Sequence, residues 1–266
     1  MLLPGDPLPA PPDRAPDLDD AFTGDTVDSS TWVSHYLPQW TTPERSAARV
    51  RPLRPGLELR IEADQPDWRP EDAPLRVSNL QTGVFSGPVG SRRGTHRHRP
   101  DGLVVRTETP VRLLFAPTAG RVDVTITESR DPGCMTAVWL VGTGHRGDEE
   151  AGEICVCEID ADAVGATTRS RTGIKAHADP RLVTDMADVS VPVDAGQPHT
   201  WTAIWEQDRT VIGCEGVVVR ALAQAPAYPL FLMIDLFEIG PPSGGYPKTA
   251  AVHRVRGWDL SPRAAP

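Results

Sequence analysis

No stretch of this 266-residue sequence approaches the roughly 18 consecutive apolar residues that a membrane-spanning helix needs. Lysine is nearly missing, found only at Lys175 and Lys248, and 27 basic residues face 36 acidic ones for a formal net charge of −9. That balance repels polyanions, which argues against nucleic acid or an anionic membrane as a partner. The one basic run, Arg92-Arg93-Gly94-Thr95-His96-Arg97-His98-Arg99, reads as a solvated loop. Met1 to Pro16 has neither a basic start nor an apolar core, so it is no secretory signal; its prolines suggest a flexible extended tail over 1–17. The four cysteines show no disulfide framework in their spacing, and Cys155 and Cys157 are too close along a strand to bridge readily. Free thiols and a cytoplasmic location are the expectation. Heptads, internal repeats, long amphipathic helical stretches, phosphate-cradling glycine loops, nucleotide motifs and a Ser-His-Asp order are also absent.

What recurs is short alternation. Apolar side chains fall at every second position in Arg121-Val122-Asp123-Val124-Thr125-Ile126-Thr127 and in Leu57-Glu58-Leu59-Arg60-Ile61-Glu62, the period of a half-buried strand. Further strands are expected at 75–80, 103–107, 111–115, 134–141, 152–160, 170–177, 199–206, 209–213, 216–222, 229–237 and 249–258. The 28 prolines and 23 glycines supply the turns between them. So many strands without intervening helices predict an all-β chain, a two-sheet antiparallel β-sandwich forming one domain over 18–262. Longer loops at 64–74, 85–100, 143–151, 178–188 and 239–248 are the places for recognition chemistry.

The segment Gly152-Glu153-Ile154-Cys155-Val156-Cys157-Glu158-Ile159-Asp160 carries the chemistry. Alternation turns Ile154 and Val156 to the core and Glu153 and Cys155 away from it. Glu158, five residues after Glu153, would then point inward, where an ionised carboxylate is very costly. One extra residue at a β-bulge resets the parity and places both glutamates on one face. Two carboxylates about 5 Å apart suit a retaining glycosidase. From spacing alone, two acids on a solvated strand face are the favoured reading of the pattern.

The pair of segments Gly133-Cys134-Met135-Thr136-Ala137-Val138-Trp139-Leu140 and Gly152 to Glu158 resembles the core signature of glycoside hydrolase family 16. In that signature an Ala-Phe-Trp-Leu-like strand precedes a bulged Glu-x-Asp-x-x-Glu strand. Phe22 to Trp32, Ala119-Gly120-Arg121-Val122-Asp123, His199-Thr200-Trp201 to Trp205, and Tyr228-Pro229-Leu230 to Leu236 resemble other family segments in the same order. The resemblance implies a concanavalin A-like jelly roll that acts on a polysaccharide or oligosaccharide without a cofactor. It implies retaining hydrolysis or transglycosylation of β-1,3 or β-1,4 linkages in a glucan or galactan, with Glu153 as nucleophile and Glu158 as general acid/base. Cys155 stands where the family has its middle acid. That departure leaves open a carbohydrate-binding domain without catalysis, or an intracellular enzyme for a glycosylated small molecule.

Sugar C–H faces stack on aromatic rings, which makes Trp139, Trp40 (in a polar loop) and Trp68 (in a proline-rich loop) candidate platforms. Trp201, Trp205 and Trp258 follow strand patterns and are expected in the core. His177 resembles the family's cleft histidine. His96 and His98 would need further ligands to hold a metal, and the positions that correspond to the family's calcium site, Ala21 and His253, offer no hard oxygen side chain.

Overall fold

Alternation commits most of the chain to strands, and the computed structural model, which describes residues 2–99 and 101–262, sorts them into two packed antiparallel sheets. The larger sheet runs β14 (Val217–Leu222), β13 (Arg209–Cys214), β12 (His199–Glu206), β7 (Gly120–Thr127), β16 (Lys248–Asp259), β3 (Leu57–Ile61), β2 (Arg49–Pro52), with β1 (Leu18–Asp20) also paired to β16. The second runs β11 (Asp185–Val191), β10 (Thr168–Lys175), β9 (Glu153–Asp160), β8 (Cys134–Gly142), β15 (Leu230–Ile239), β4 (Leu75–Gln81). A small ribbon, β5 (Gly83–Val84) with β6 (Arg112–Leu113), stands apart. This is the expected concanavalin A-like jelly roll.

The main core lies between the sheets. Leu57, Leu59 and Ile61 meet Val122, Val124 and Ile126, Trp201 and Trp205, and from the opposing sheet Ile154, Val156, Leu232 and Ile234. Each fully buried aliphatic or aromatic side chain here is worth about 1.5–3 kcal/mol of apolar transfer. Trp258, expected in this core, is instead buried on the outer face of the large sheet, where its indole N–H donates to the Arg14 carbonyl at 3.2 Å. All four cysteines are buried and unpaired. Glu128, just past β7, is also buried, and burial pushes its carboxyl up to about 8, the Thr136 hydroxyl offsetting only part of the rise.

Several local expectations need correction. Residues 103–107 form no strand; Leu103 and Val105 are buried as parts of a loop that lies on the outer face of the six-stranded sheet. Of 111–115 only Arg112–Leu113 pair, and the latter part of the expected 178–188 loop forms the edge strand β11. The N-terminal segment is not a free tail. Gly5 N donates to Val218 O at 2.9 Å and Leu8 N to Gly216 O at 2.8 Å, while Leu2 and Leu8 pack on Ile204, Val211 and Val218. β14 is a sheet edge with unpaired backbone groups, and a proline-rich strand can satisfy some of them without offering a new edge for further pairing.

Candidate active site

The site is built on β9, β8 and β10. Val138 pairs with Cys157 and Trp139 with Cys155, so Val156 is an extra residue on β9 and the register shifts there. Val156 and Cys157 both face the inter-sheet core, whereas Cys155 belongs to a second apolar cluster on the outer face of the sheet. Beyond the bulge the parity is reset. Glu153 lies between Val141 and Lys175, Cys155 between Trp139 and Gly173, and Glu158 between Ala137 and Arg171. Gly173 flanks the matching irregularity on β10 at φ 144°, and a Cβ there would sit 2.0 Å from the Asp185 carbonyl oxygen. Only glycine fits that turn of the backbone.

The two glutamates and the Cys155 sulfur present atoms that all lie within 4.8 Å of one another. Both acids are sunk in the surface, Glu153 at 1% and Glu158 at 7% exposure. The Lys175 ammonium sits between them, 2.9 Å from Glu153 Oε1 and donating to Glu158 Oε1 at 2.5 Å. His177 Nε2 is 2.9 Å from Glu153 Oε2, and Arg171 Nε donates to Glu158 Oε2 at 3.1 Å. Burial alone would raise the Glu153 carboxyl, but the His177 hydrogen bond and the Lys175 charge win and hold it at about 2. Burial works against the Lys175 charge as well, yet the two glutamates overcome it and keep the ammonium above the ordinary lysine range. Cys155 is fully buried; burial first, then the neighbouring Glu158 charge, holds its thiol well above the usual range. A thiol so raised is neutral, and its sulfur lies 3.4 Å from the Arg171 carbonyl oxygen.

Over these groups lies a cleft of about 460 Å³. It shares His96, His98, Arg99 and His177 with a neighbouring hollow of about 350 Å³, and Met135 and Ile239 with a third of about 550 Å³. A trough therefore continues past the carboxylates in both directions. Trp139 forms part of its floor, with its indole N–H lacking a hydrogen-bond partner among the described residues. Trp68 and His177 also line it, although Trp68 is 1% exposed and its N–H donates to the Tyr36 carbonyl at 3.0 Å.

Trp40 does not line the trough. Its expected polar loop has a core after all: the indole is fully buried, donates to the Thr95 carbonyl at 3.1 Å, and packs so closely on Gly94 that a Cβ there would be 3.0 Å from the ring. Gln39 donates to the same carbonyl at 2.7 Å. Trp40 thus anchors the loop rather than stacking on a ligand. That loop is the basic run, and it is not the solvated segment its composition suggests. It folds across the trough, with the His96 ring 5.5 Å from that of His177 and 6.0 Å from that of Trp139. Burial lowers His96 to about 3 and His98 to about 4, so both imidazoles are neutral. Arg97 and Arg99 pair with Asp148 and Asp72.

Four residues of the site escape a reading of the sequence. Lys175 and Arg171 sit on the expected 170–177 strand with the parity of the glutamate face, a signal present but usable only once β10 is known to neighbour β9. His96 reaches the site through loop folding, for which the sequence carries no local sign. Asp235, on β15, is wholly buried beside Asn79, which donates to it at 2.7 Å; burial, aided by the Glu153 charge, pushes its carboxyl far above the usual range.

No protein-family model matches the chain, and no curated protein matches it in sequence. Solved structures do match. A GlcNAcα1-4Gal-releasing endo-β-galactosidase from Clostridium perfringens superposes with a TM-score of 0.80 at 21% identity, covering 95% of this chain and 66% of its own, slightly under two thirds of that enzyme. A non-specific endo-β-1,3(4)-glucanase from glycoside hydrolase family 16 gives 0.65 at 17% identity, over 96% of this chain and 98% of its own. A Bacillus licheniformis β-glucanase gives 0.60 at 12%, over 93% and 99%. The chain has the concanavalin A-like fold of family 16 glycoside hydrolases.

Proposed function

We propose that this protein cleaves or transfers β-glycosidic bonds within a polysaccharide by double displacement, with Glu153 as nucleophile and Glu158 as general acid/base. The observation that carries the reading is the pair of carboxylates on one bulged strand, with oxygens inside 4.8 Å, on the floor of a trough that runs past them both ways. That spacing suits retention, in which one carboxylate attacks the anomeric carbon and the other protonates the departing oxygen, then activates water or an acceptor hydroxyl. The depressed Glu153 keeps its attacking oxygens ionised at any ordinary pH. Trp139, on the trough floor, offers part of its ring for the sugar. Trp68 and His177 would line adjacent positions. Cys155 takes no charge at the place of the family's middle acid, and the Lys175 ammonium is the group that balances the two glutamates instead.

Turnover asks for two movements. His96, whose Nδ1 is 4.0 Å from Glu153 Oε2, must yield to the sugar, and Lys175 must withdraw from Glu158 so that this oxygen can carry a proton. The second requirement favours a competing reading. Both oxygens of Glu158 already accept from cations, Lys175 and Arg171, an arrangement that suits a carbohydrate-binding domain without catalysis.

A panel of β-1,3- and β-1,4-linked glucans and galactans, β-galactosides first given the overlap with the endo-β-galactosidase, separates the two. Hydrolysis is expected for at least one substrate, with β products first released by NMR and with activity abolished in Glu153→Gln at unchanged melting temperature. Binding without turnover in the wild type, retained in the Glu153→Gln/Glu158→Gln double variant, would establish the binding-domain reading. Inverted products would overturn the double displacement.

A further inference from the structure

We propose that His96, His177 and Glu153 form a binding site for one divalent transition-metal ion at the floor of the trough. Each contributes one ligand atom, and the three atoms lie within 4.8 Å of one another. His177 Nε2 is 2.9 Å from Glu153 Oε2, and His96 Nδ1 is 4.0 Å from the same oxygen. Ligands around a tetrahedral zinc ion at 2.0–2.1 Å stand about 3.3 Å from one another. The two histidine–carboxylate separations straddle that value, and all three separations lie within about 1.5 Å of it.

Three features select this cluster and this class of ion. The imidazoles come from two separate loops that meet over the carboxylate, with ring centroids 5.5 Å apart and planes at 90°, so their nitrogens converge rather than stack. Both histidines have left-handed backbones, φ 47° at His96 and 48° at His177, a conformation side-chain-bearing residues adopt sparingly and that recurs at functional positions. Two nitrogens and one oxygen suit zinc and its neighbours, whereas calcium and magnesium take all-oxygen shells. The other close cluster, Glu153 with Cys155 and Glu158, already encloses a cation, because the Lys175 ammonium lies between its carboxylates. Lys175 takes Oε1 of Glu153 and leaves Oε2 to the histidines.

Binding displaces the proton that His177 Nε2 shares with Glu153; it moves to Nδ1 or is released to solvent, and the nitrogen lone pair goes to the metal. If the hydrolase reading holds, metal and sugar compete for Glu153, and the ion acts as a reversible inhibitor. The metal site itself does not depend on that reading.

The test uses the full chain stripped with a chelator, then titrated with zinc against a chromophoric competitor, with magnesium and calcium as controls. One equivalent of zinc should bind and raise the melting temperature, while magnesium and calcium should not. His96→Ala and His177→Ala should each weaken zinc at least tenfold, the lower bound of roughly 10–100-fold known even for groups that only support a ligand. Lys175→Met, which removes a neighbouring positive charge, should tighten it and covers the case in which a histidine variant does not fold. No zinc binding by the wild type, equal affinity in folded histidine variants, or weaker binding in Lys175→Met would overturn the proposal. Hydrolysis of the glycan panel by metal-free protein is scored separately, so either reading can fail while the other stands.

Discussion

Replacing Glu128 with glutamine should remove a loss of stability that the wild type suffers as pH rises. The carboxyl titrates near 4.5 in the unfolded chain and at about 8 in the folded one, because burial disfavours its charge. Between those values unfolding releases a proton, so stability falls as pH increases: the contribution is fully present below pH 4.5 and is gone once pH passes 8. Each unit is worth about 1.4 kcal/mol, which makes the whole effect on the order of 4–5 kcal/mol and roughly 3 kcal/mol by pH 7. Asp235 is shifted in the same direction, so the wild-type curve alone does not isolate Glu128. The difference between wild type and Glu128→Gln does. Urea unfolding of both proteins at half-unit steps from pH 5 to 8.5 should give a gap that widens with pH in favour of the glutamine. A gap constant to within about 0.5 kcal/mol over that range would refute the assignment of a neutral buried acid at Glu128.

Three further outcomes follow from the site and the edges. With Glu153 held at about 2, the acid limb of kcat/KM should lie below pH 3, and Lys175→Met should move it upward by about 1–2 units; an unmoved limb in a pH–rate profile would exclude Lys175 as the partner of that carboxylate. Trp40→Ala should lower stability by about 3–5 kcal/mol, whereas Trp139→Phe should change it little and weaken glycan affinity, as read by thermal melting and calorimetric titration; the reverse ranking would place the sugar platform on Trp40. Removing residues 2–16 strips Leu2 and Leu8 from their cluster and uncovers β14, for a loss of about 2 kcal/mol and a melting point lower by roughly 4–8 °C. An unchanged melting point would mean that the segment only rests on the sheet.

The strands were legible because their periodicity is local: Leu57, Leu59 and Ile61 announce a buried face without help from the rest of the chain. The bulge was legible too, for a different reason. An ionised glutamate at 158 has no acceptable place between the sheets, so a parity conflict in the sequence implied an extra residue, and the register puts it at Val156. The partners of the glutamates were less accessible. Lys175 becomes a site residue only through the β9–β10 register, and His96 only because Trp40 and Gln39 tether a loop more than fifty positions away in sequence. The same non-locality hid Trp40 itself, whose polar neighbours in sequence say nothing about the Gly94 backbone that covers it. Edge strands such as β11, half exposed and irregular in pattern, carry too little hydrophobic contrast to be told from a loop.

The additional residue in β9 works as a phase shift in the chain, and what fixes it is the charge that follows rather than the side chain that makes it. A substitution at Val156 alters packing by a methyl group or two. Pairing the same segment straight, with Val156 taking a partner of its own, would rotate everything after it by half a period, sending Glu158 and Asp160 inward and turning Ile159 out to water. Two carboxylates would then face the hydrocarbon interior, at several kcal/mol each. The acids downstream therefore hold the kink in place, because the straight register of the same sequence would bury them.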